Sequence, residues 1–321
     1  MKKEKLLMLN FKKIAVVGLG LIGASLAAAL KEINPTLTII GIDNKETTLK
    51  TALNRGFIDT GYLEISKEVL TAELIFIAVP VASIGSIIAE IEALGSADQL
   101  LVDLGSTKVE VMKQAAEILA ASSRVFIGGH PMAGSDKSGI KAVNQDLFKN
   151  AAFILTPGAH LAEEDKSHSE QISPISKNDL SLSAEKLIIN QLSQVEKDYL
   201  TDLKELIIEL GARPYILRAV THDQWTAYLS HFPHLLSASL VNLVPEANIL
   251  ELAGSGYQDM TRIAGSSPEL WLDIIFSNRI NLIELLTAYQ KELADLKKLL
   301  VDSDQTQILE FLKTAAAKKQ Q

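Results

Sequence analysis

The residues best suited to chemistry in this chain lie in five short segments. Gly18-x-Gly20-x-x-Gly23 sits in KIAVVGLGLIGASLAAAL. Asp103-Leu-Gly-Ser-Thr-Lys108 and Gly128-Gly-His-Pro-Met-Ala-Gly-Ser135 follow, each at the end of a short apolar run. Ser230-His-Phe-Pro-His234 and Gly254-Ser-Gly-Tyr-Gln-Asp-Met-Thr-Arg-Ile-Ala264 come much later. His130 is a candidate proton acceptor, because a neutral imidazole can take a proton from a hydroxyl near cell pH. Ser106 is a candidate partner that holds its ring in the right tautomer. Arg262 is a lone cation in a glycine-rich setting, and its planar fork matches a carboxylate. The plainer alternatives are a satisfied core histidine at 130 and a surface ion pair between Arg262 and Asp259, three residues earlier.

Elements that would position these groups are legible in the apolar pattern. Ile14–Val17, Leu37–Ile42, Leu74–Val79, Leu100–Leu104, Arg124–Ile127 and Phe153–Leu155 are short, mostly β-branched or leucine-rich, and bounded by Gly, Pro or Asp. That is the signature of buried parallel strands. Amphipathic stretches at Leu21–Glu32, Lys45–Arg55, Val81–Ala93 and Lys108–Leu119 alternate with them, which predicts a doubly wound sheet. Such sheets bind ligands at the carboxyl ends of their strands, the location expected for Ser106 and His130.

In that frame the glycines acquire separate tasks. Gly18 permits the tight turn, Gly20 lets a pyrophosphate approach, and Gly23 lets helix and strand pack, while the helix start favours phosphate. Asp43 lies at the end of the second strand, 20 residues after Gly23, where an acid binds ribose hydroxyls and repels a 2′-phosphate. NAD is therefore the expected cofactor, with Lys45 placed to soften the preference over NADP. Leu21, Ile22, Pro80 and Lys108 complete the expected cofactor site.

Beyond Pro157 the text changes. Residues 158–192 are rich in Ser, Glu, Asp, Lys and Asn and read as an exposed polar insertion with a short helix near Ala184–Leu192. Val195–Leu210 is helical with Gly211 as C-cap, and Pro214–Leu217 forms one more strand. From Val220 onward only helical spacing remains, at Thr221–Val244, Pro268–Leu300 and Gln305–Ala317. The division is thus a Rossmann-type domain over 1–218 and an all-α domain over 219–321. WLDIIFSNRINLIELLTAY is apolar on more than one face, which suits either a dimer interface or an ordinary buried helix.

The chain of 321 residues carries a net charge of −8 and no basic cluster, which argues against nucleic acid as a partner. It has no cysteine, so thiolate chemistry and disulfides are closed. The six histidines show no metal-ligand spacing, and no metal is expected. MKKEKLLMLNFKK lacks the apolar core of a signal peptide, and no apolar run reaches a membrane span, so the expected location is the cytoplasm.

GLGLIGASLA, DLGSTK, GGHPMAGS, HDQWTAYLSHFPH and GYQDMTRIAGSSPELW, in that order from about Lys13 to Leu300, resemble the prephenate/arogenate dehydrogenase family of tyrosine biosynthesis. The last four are far more specific than the glycine pattern. The resemblance implies NAD-dependent oxidative decarboxylation of prephenate to 4-hydroxyphenylpyruvate, with arogenate as the alternative substrate, in a homodimer formed through the helical domain. It implies that His130 bonds the substrate's ring hydroxyl with Ser106 beside it, and that Arg262 holds a carboxylate with His234 and Ser135 nearby. It also implies that Trp271 reaches the site from the other subunit. The 158–192 insertion is longer than this family's short connection and is expected on the surface or over the cleft. Ser135-Asp136 stands where relatives carry Thr-Glu. No room is left for an appended regulatory ACT domain, so feedback through one is not expected. Two rivals remain at this level: a β-hydroxyacid dehydrogenase, which would use a lysine as its acid/base group, and an NAD-sensing protein without turnover.

Overall fold

The computed structural model describes residues 11–134, 137, 139–159 and 181–320. Eight strands form one sheet: β1 Lys13–Val17, β2 Thr38–Ile42, β3 Thr60–Tyr62, β4 Leu74–Ile77, β5 Leu100–Asp103, β6 Val125–Pro131, β7 Ala152–Pro157 and β8 Arg213–Ile216. Their order is β3-β2-β1-β4-β5-β6-β7-β8. Helices α1 Leu21–Ile33, α2 Glu46–Asn54, α3 Val81–Ala93, α4 Val109–Ile118, α5 Leu182–Asn190 and α6 Gln194–Glu209 cover the two faces. Strand direction of progress reverses between β1 and β4, so the crevice outside their carboxyl ends is the ligand position of a doubly wound sheet. Gly18 and Pro80 both flank that crevice, one after β1 and the other after β4.

Burial explains why these runs became strands. Every residue of β4 and β5 is buried, and the side chains alternate between two apolar layers. Leu26, Leu30, Phe76, Phe153 and Leu203 fill one layer; Ile75, Ile84, Ile88, Leu101 and Met112 fill the other. The expected parallel pattern fails at one strand. β7 runs antiparallel to β6, with His130 opposite Ile154, and β8 then pairs parallel with β7. β6 also continues through Pro131, so His130 lies within a strand rather than in a turn after it. β3 had no periodic signal because it holds only three residues, one exposed and two half-buried.

The second half is helical: α7 Ala219–Thr226, α8 Phe232–Asn242, α9 Ser255–Thr261, α10 Pro268–Ser277, α11 Arg279–Val301 and α12 Gln305–Lys319. The expected helix over Thr221–Val244 is interrupted by a wide, π-type turn at Ala227–His231, a feature that often re-aims side chains at functional sites. The expected helix over Pro268–Leu300 breaks at Asn278, whose amide nitrogen donates to Asp223 O at 2.7 Å and to His231 Nδ1 at 3.0 Å. The private core of this half is small, centred on Ala227, Leu282 and Leu285. Leu272, Phe276, Ile280 and Ile283 form an exposed stripe along α10 and α11, each 56–63% exposed. Burying a fully exposed side chain of this kind is worth about 1.5–3 kcal/mol, so covering what remains exposed here would be stabilising.

Candidate active site

At the nucleotide end, backbone shape explains the glycines. Gly18 has φ +89°, and a Cβ there would fall 2.4 Å from Ala78 O. A Cβ on Gly23 would fall 1.9 Å from Gly18 O, so helix and turn touch at this point. Gly20 is different: a Cβ there would meet nothing within 4 Å, leaving open space over the start of α1. That helix start has no side-chain cap and no acid in its first turn, so its N–H groups face the space unopposed. Leu21 and Ile22 are half-buried in this first turn and contribute through their backbone. Asp43 is tied to the turn, its Oδ2 accepting from Leu19 N at 3.0 Å and its Oδ1 from Lys45 N at 2.9 Å. A carboxylate has about four lone-pair positions, so capacity for ribose hydroxyls remains. Pro80 is exposed and immediately precedes α3. This geometry fits a dinucleotide.

Lys108 does not belong to that site. Its side chain is 0% exposed, and its ammonium donates to Asp103 Oδ2 at 2.5 Å and to the carbonyls of Gly105 and Thr107 at 3.0 Å each. All three donors are used, so none is left for a cofactor. Asp103 in turn accepts from Gly105 N and Gly129 N. Burial raises the Asp103 carboxyl above its usual value, against the pull of Lys108 and these two N–H groups. The buried pair ties β5 to the loop before α4 and to the strand that carries His130.

His130 itself is 8% exposed. The expected bond to Ser106 is absent. Ser106 is half-buried beyond β5, and the His130 Nδ1 instead lies 2.8 Å from His222 Nε2. His222 Nδ1 lies 2.7 Å from Asp223 Oδ1. Asp223 accepts from Lys108 N at 2.7 Å and Val109 N at 2.9 Å, so it caps the start of α4. Among the described residues His130 Nε2 has no partner, and it is not one of their sealed polar atoms. Burial, then the charges of His222, Lys108 and His231, hold His130 well below the usual histidine value. Burial and Lys108 do the same to His222. Burial pushes Asp223 up to about 6 despite its two N–H donors, leaving it a carboxylate at neutral pH.

A depressed His130 stays neutral, and thus basic, at pH values where a free histidine would protonate. The acid limb of kcat/KM is accordingly expected below pH 6.5, the ordinary histidine position. A limb centred at or above that value would contradict the burial of this ring.

A second group of rings comes from the helical half. His234, on α8, stacks on Trp271 of α10 with centroids 3.5 Å apart and planes at 7°. Both residues of this stack belong to one chain. His231 meets the same Trp271 edge-on at 6.0 Å and is pushed down to about 4 by burial, against Asp223. Among the described residues, the buried His231 Nε2, His234 Nδ1 and Ser237 Oγ have no hydrogen-bond partner. Arg262 is exposed and starts a short turn, Arg262–Gly265, that packs against α8. Among the ion pairs of the described residues, none joins Arg262 to Asp259. Ser135 lies outside the described residues, as does most of the polar insertion. Sequence reasoning passed over His222 and Asp223. Their signal was an adjacent His-Asp pair eight residues before Ser230-His231.

The comparisons with known proteins point one way. A family profile described as "Prephenate dehydrogenase, nucleotide-binding domain" matches residues 26–177, and one described as "Prephenate dehydrogenase, dimerization domain" matches residues 218–314. A prephenate dehydrogenase of Bacillus subtilis is 33% identical over 308 residues, covering 94% of this chain and 74% of the relative. The crystal structure of an Aquifex aeolicus prephenate dehydrogenase with hydroxyphenyl propionate and NAD+ superposes with a TM-score of 0.79 at 26% identity, covering 96% and 97% of the two chains. A Synechocystis arogenate dehydrogenase structure gives 0.71 at 27% identity, covering 96% and 99%.

Proposed function

Because the chain belongs to the prephenate dehydrogenase family of oxidoreductases, we propose that it converts prephenate and NAD+ to 4-hydroxyphenylpyruvate, carbon dioxide and NADH. The observation that carries this reading is His130: a buried, neutral ring at the carboxyl-end side of the sheet, with Nε2 left without a protein partner. When bound, NAD+ takes the hydride from the hydroxyl-bearing ring carbon. Gly18, Gly20 and Gly23 with the start of α1 hold its pyrophosphate, and Asp43 holds its ribose. His130 Nε2 accepts the ring hydroxyl's proton as the hydride leaves. The carboxylate at the opposite ring carbon departs as carbon dioxide, its electron pair makes the ring aromatic, and the phenolate oxygen recovers the proton from His130. Aromatisation drives the reaction, so orientation is the main demand on the protein.

Arg262 supplies that orientation by holding a substrate carboxylate, with His234 and Trp271 forming a wall beside it. A charged hydrogen bond contributes about 1.5–3 kcal/mol, so Arg262→Ala is expected to raise the substrate KM roughly 10–150-fold while the KM for NAD+ stays unchanged. An unchanged substrate KM would remove Arg262 from the site. The Rossmann part spans 1–218 and the helical part 219–321, and the exposed stripe on α10 and α11 closes a homodimer.

Arogenate is the second reading, favoured by the 27% identity to the Synechocystis arogenate dehydrogenase. Purified protein, assayed for NADH or NADPH formation with each substrate and each cofactor, decides. Turnover of prephenate with NAD+ is expected. Turnover of arogenate alone would transfer the assignment, and turnover of neither would end it.

A further inference from the structure

We infer that His222 and Asp223 are positioning residues that fix His130 in the tautomer with a proton on Nδ1 and a bare lone pair on Nε2. This role deepens the proposed function, since it rests on His130 being the proton acceptor. The order of protons is set at the start of α4. Backbone N–H groups can only donate, and Lys108 N and Val109 N both point at the Asp223 carboxylate. That carboxylate therefore offers only lone pairs to its remaining neighbour. His222 Nδ1, 2.7 Å from Oδ1, must carry the proton of that bond. A neutral imidazole has one N–H, so His222 Nε2 is bare and accepts. His130 Nδ1, 2.8 Å away, must then donate. The single N–H of each ring is then used, no proton is left for His130 Nε2, and that atom is an acceptor.

Packing makes this order of protons hard to reverse. His222 is 0% exposed and Asp223 2%, so water cannot substitute for either partner. Thr226 Oγ1 donates to the carbonyls of His222 and Asp223, and Asn278 Nδ2 donates to the Asp223 carbonyl. These bonds clamp α7 in place. The relay also joins the two halves of the chain: His130 sits on β6, the capped N–H groups start α4, and His222 and Asp223 sit on α7.

Side-chain 15N NMR of the full chain reads the tautomer directly. Near neutral pH, His130 is expected to show protonated Nδ1 and bare Nε2; the opposite pattern overturns the inference without any variant. His222→Phe removes the acceptor while keeping a ring, and kcat is expected to fall about 10²-fold or more with both KM values unchanged. His222→Gln offers an amide oxygen to the same Nδ1–H and is expected to recover part of the loss. A His222→Phe enzyme with wild-type kcat overturns the relay. His130→Asn separates the two claims: if it retains turnover, His130 is not the proton acceptor and the role on which the relay rests has failed, whereas an inactive His130→Asn beside an active His222→Phe refutes only the relay.

Discussion

His130→Asn is expected to lower kcat by about 10²–10⁴-fold, the usual worth of a positioned acid/base group, while the Kd for NAD+ stays unchanged. Asparagine is a stringent replacement. Its amide can still donate to His222 Nε2, so the buried bond and the packing of β6 against α7 survive. What is lost is the lone pair on Nε2. The glycine turn and Asp43 lie at the ends of other strands and are untouched by the change. Isothermal titration with NAD+ and steady-state kinetics on the same preparation separate binding from turnover. Parallel loss of both would mean that residue 130 supports the fold rather than the reaction.

Lys108→Met is expected to cost about 3–5 kcal/mol of stability, because it leaves the Asp103 carboxyl buried without its cation. In a chain of this size that corresponds to a fall in Tm of roughly 6–20 °C. The loss is expected in thermal or denaturant unfolding even with NAD+ absent, which distinguishes an internal ion pair from a cofactor ligand. Adding Asp103→Asn is expected to recover part of it, since a neutral amide is cheaper to bury than a bare carboxylate. A Lys108→Met protein with unaltered unfolding and weaker NAD+ binding would return Lys108 to the cofactor site.

Lys108 illustrates where sequence reading succeeds and where it stops. The strand–turn–helix pattern around Gly18 is local, and the structure reproduces it within a residue or two at β1, α1 and β2. Asp43 needed only its distance along the chain. Lys108 stood beside such landmarks and was grouped with them, yet its direction depends on Asp103 folding back from five residues away. Ser106 was paired with His130 because both end neighbouring strands. The actual partner, His222, is 92 residues from His130 in the chain and arrives on a helix of the other half. No local pattern reports such a contact. The reversed β7 was hidden for a related reason: a fully buried strand carries the same apolar run in either direction. In the helical half, the breaks at Ala227–His231 and Asn278 were missed because apolar spacing continues across both.

The central claim is that His130 Nε2 is the atom that takes the ring hydroxyl's proton, with Arg262 at the carboxylate end. A crystal structure of the protein with NAD+ and 4-hydroxyphenylpyruvate tests it most directly. The phenol oxygen is expected within about 2.6–3.2 Å of His130 Nε2, with the side-chain carboxylate on Arg262. A product ring seated elsewhere, with His130 and Arg262 facing unconnected surfaces, would contradict it.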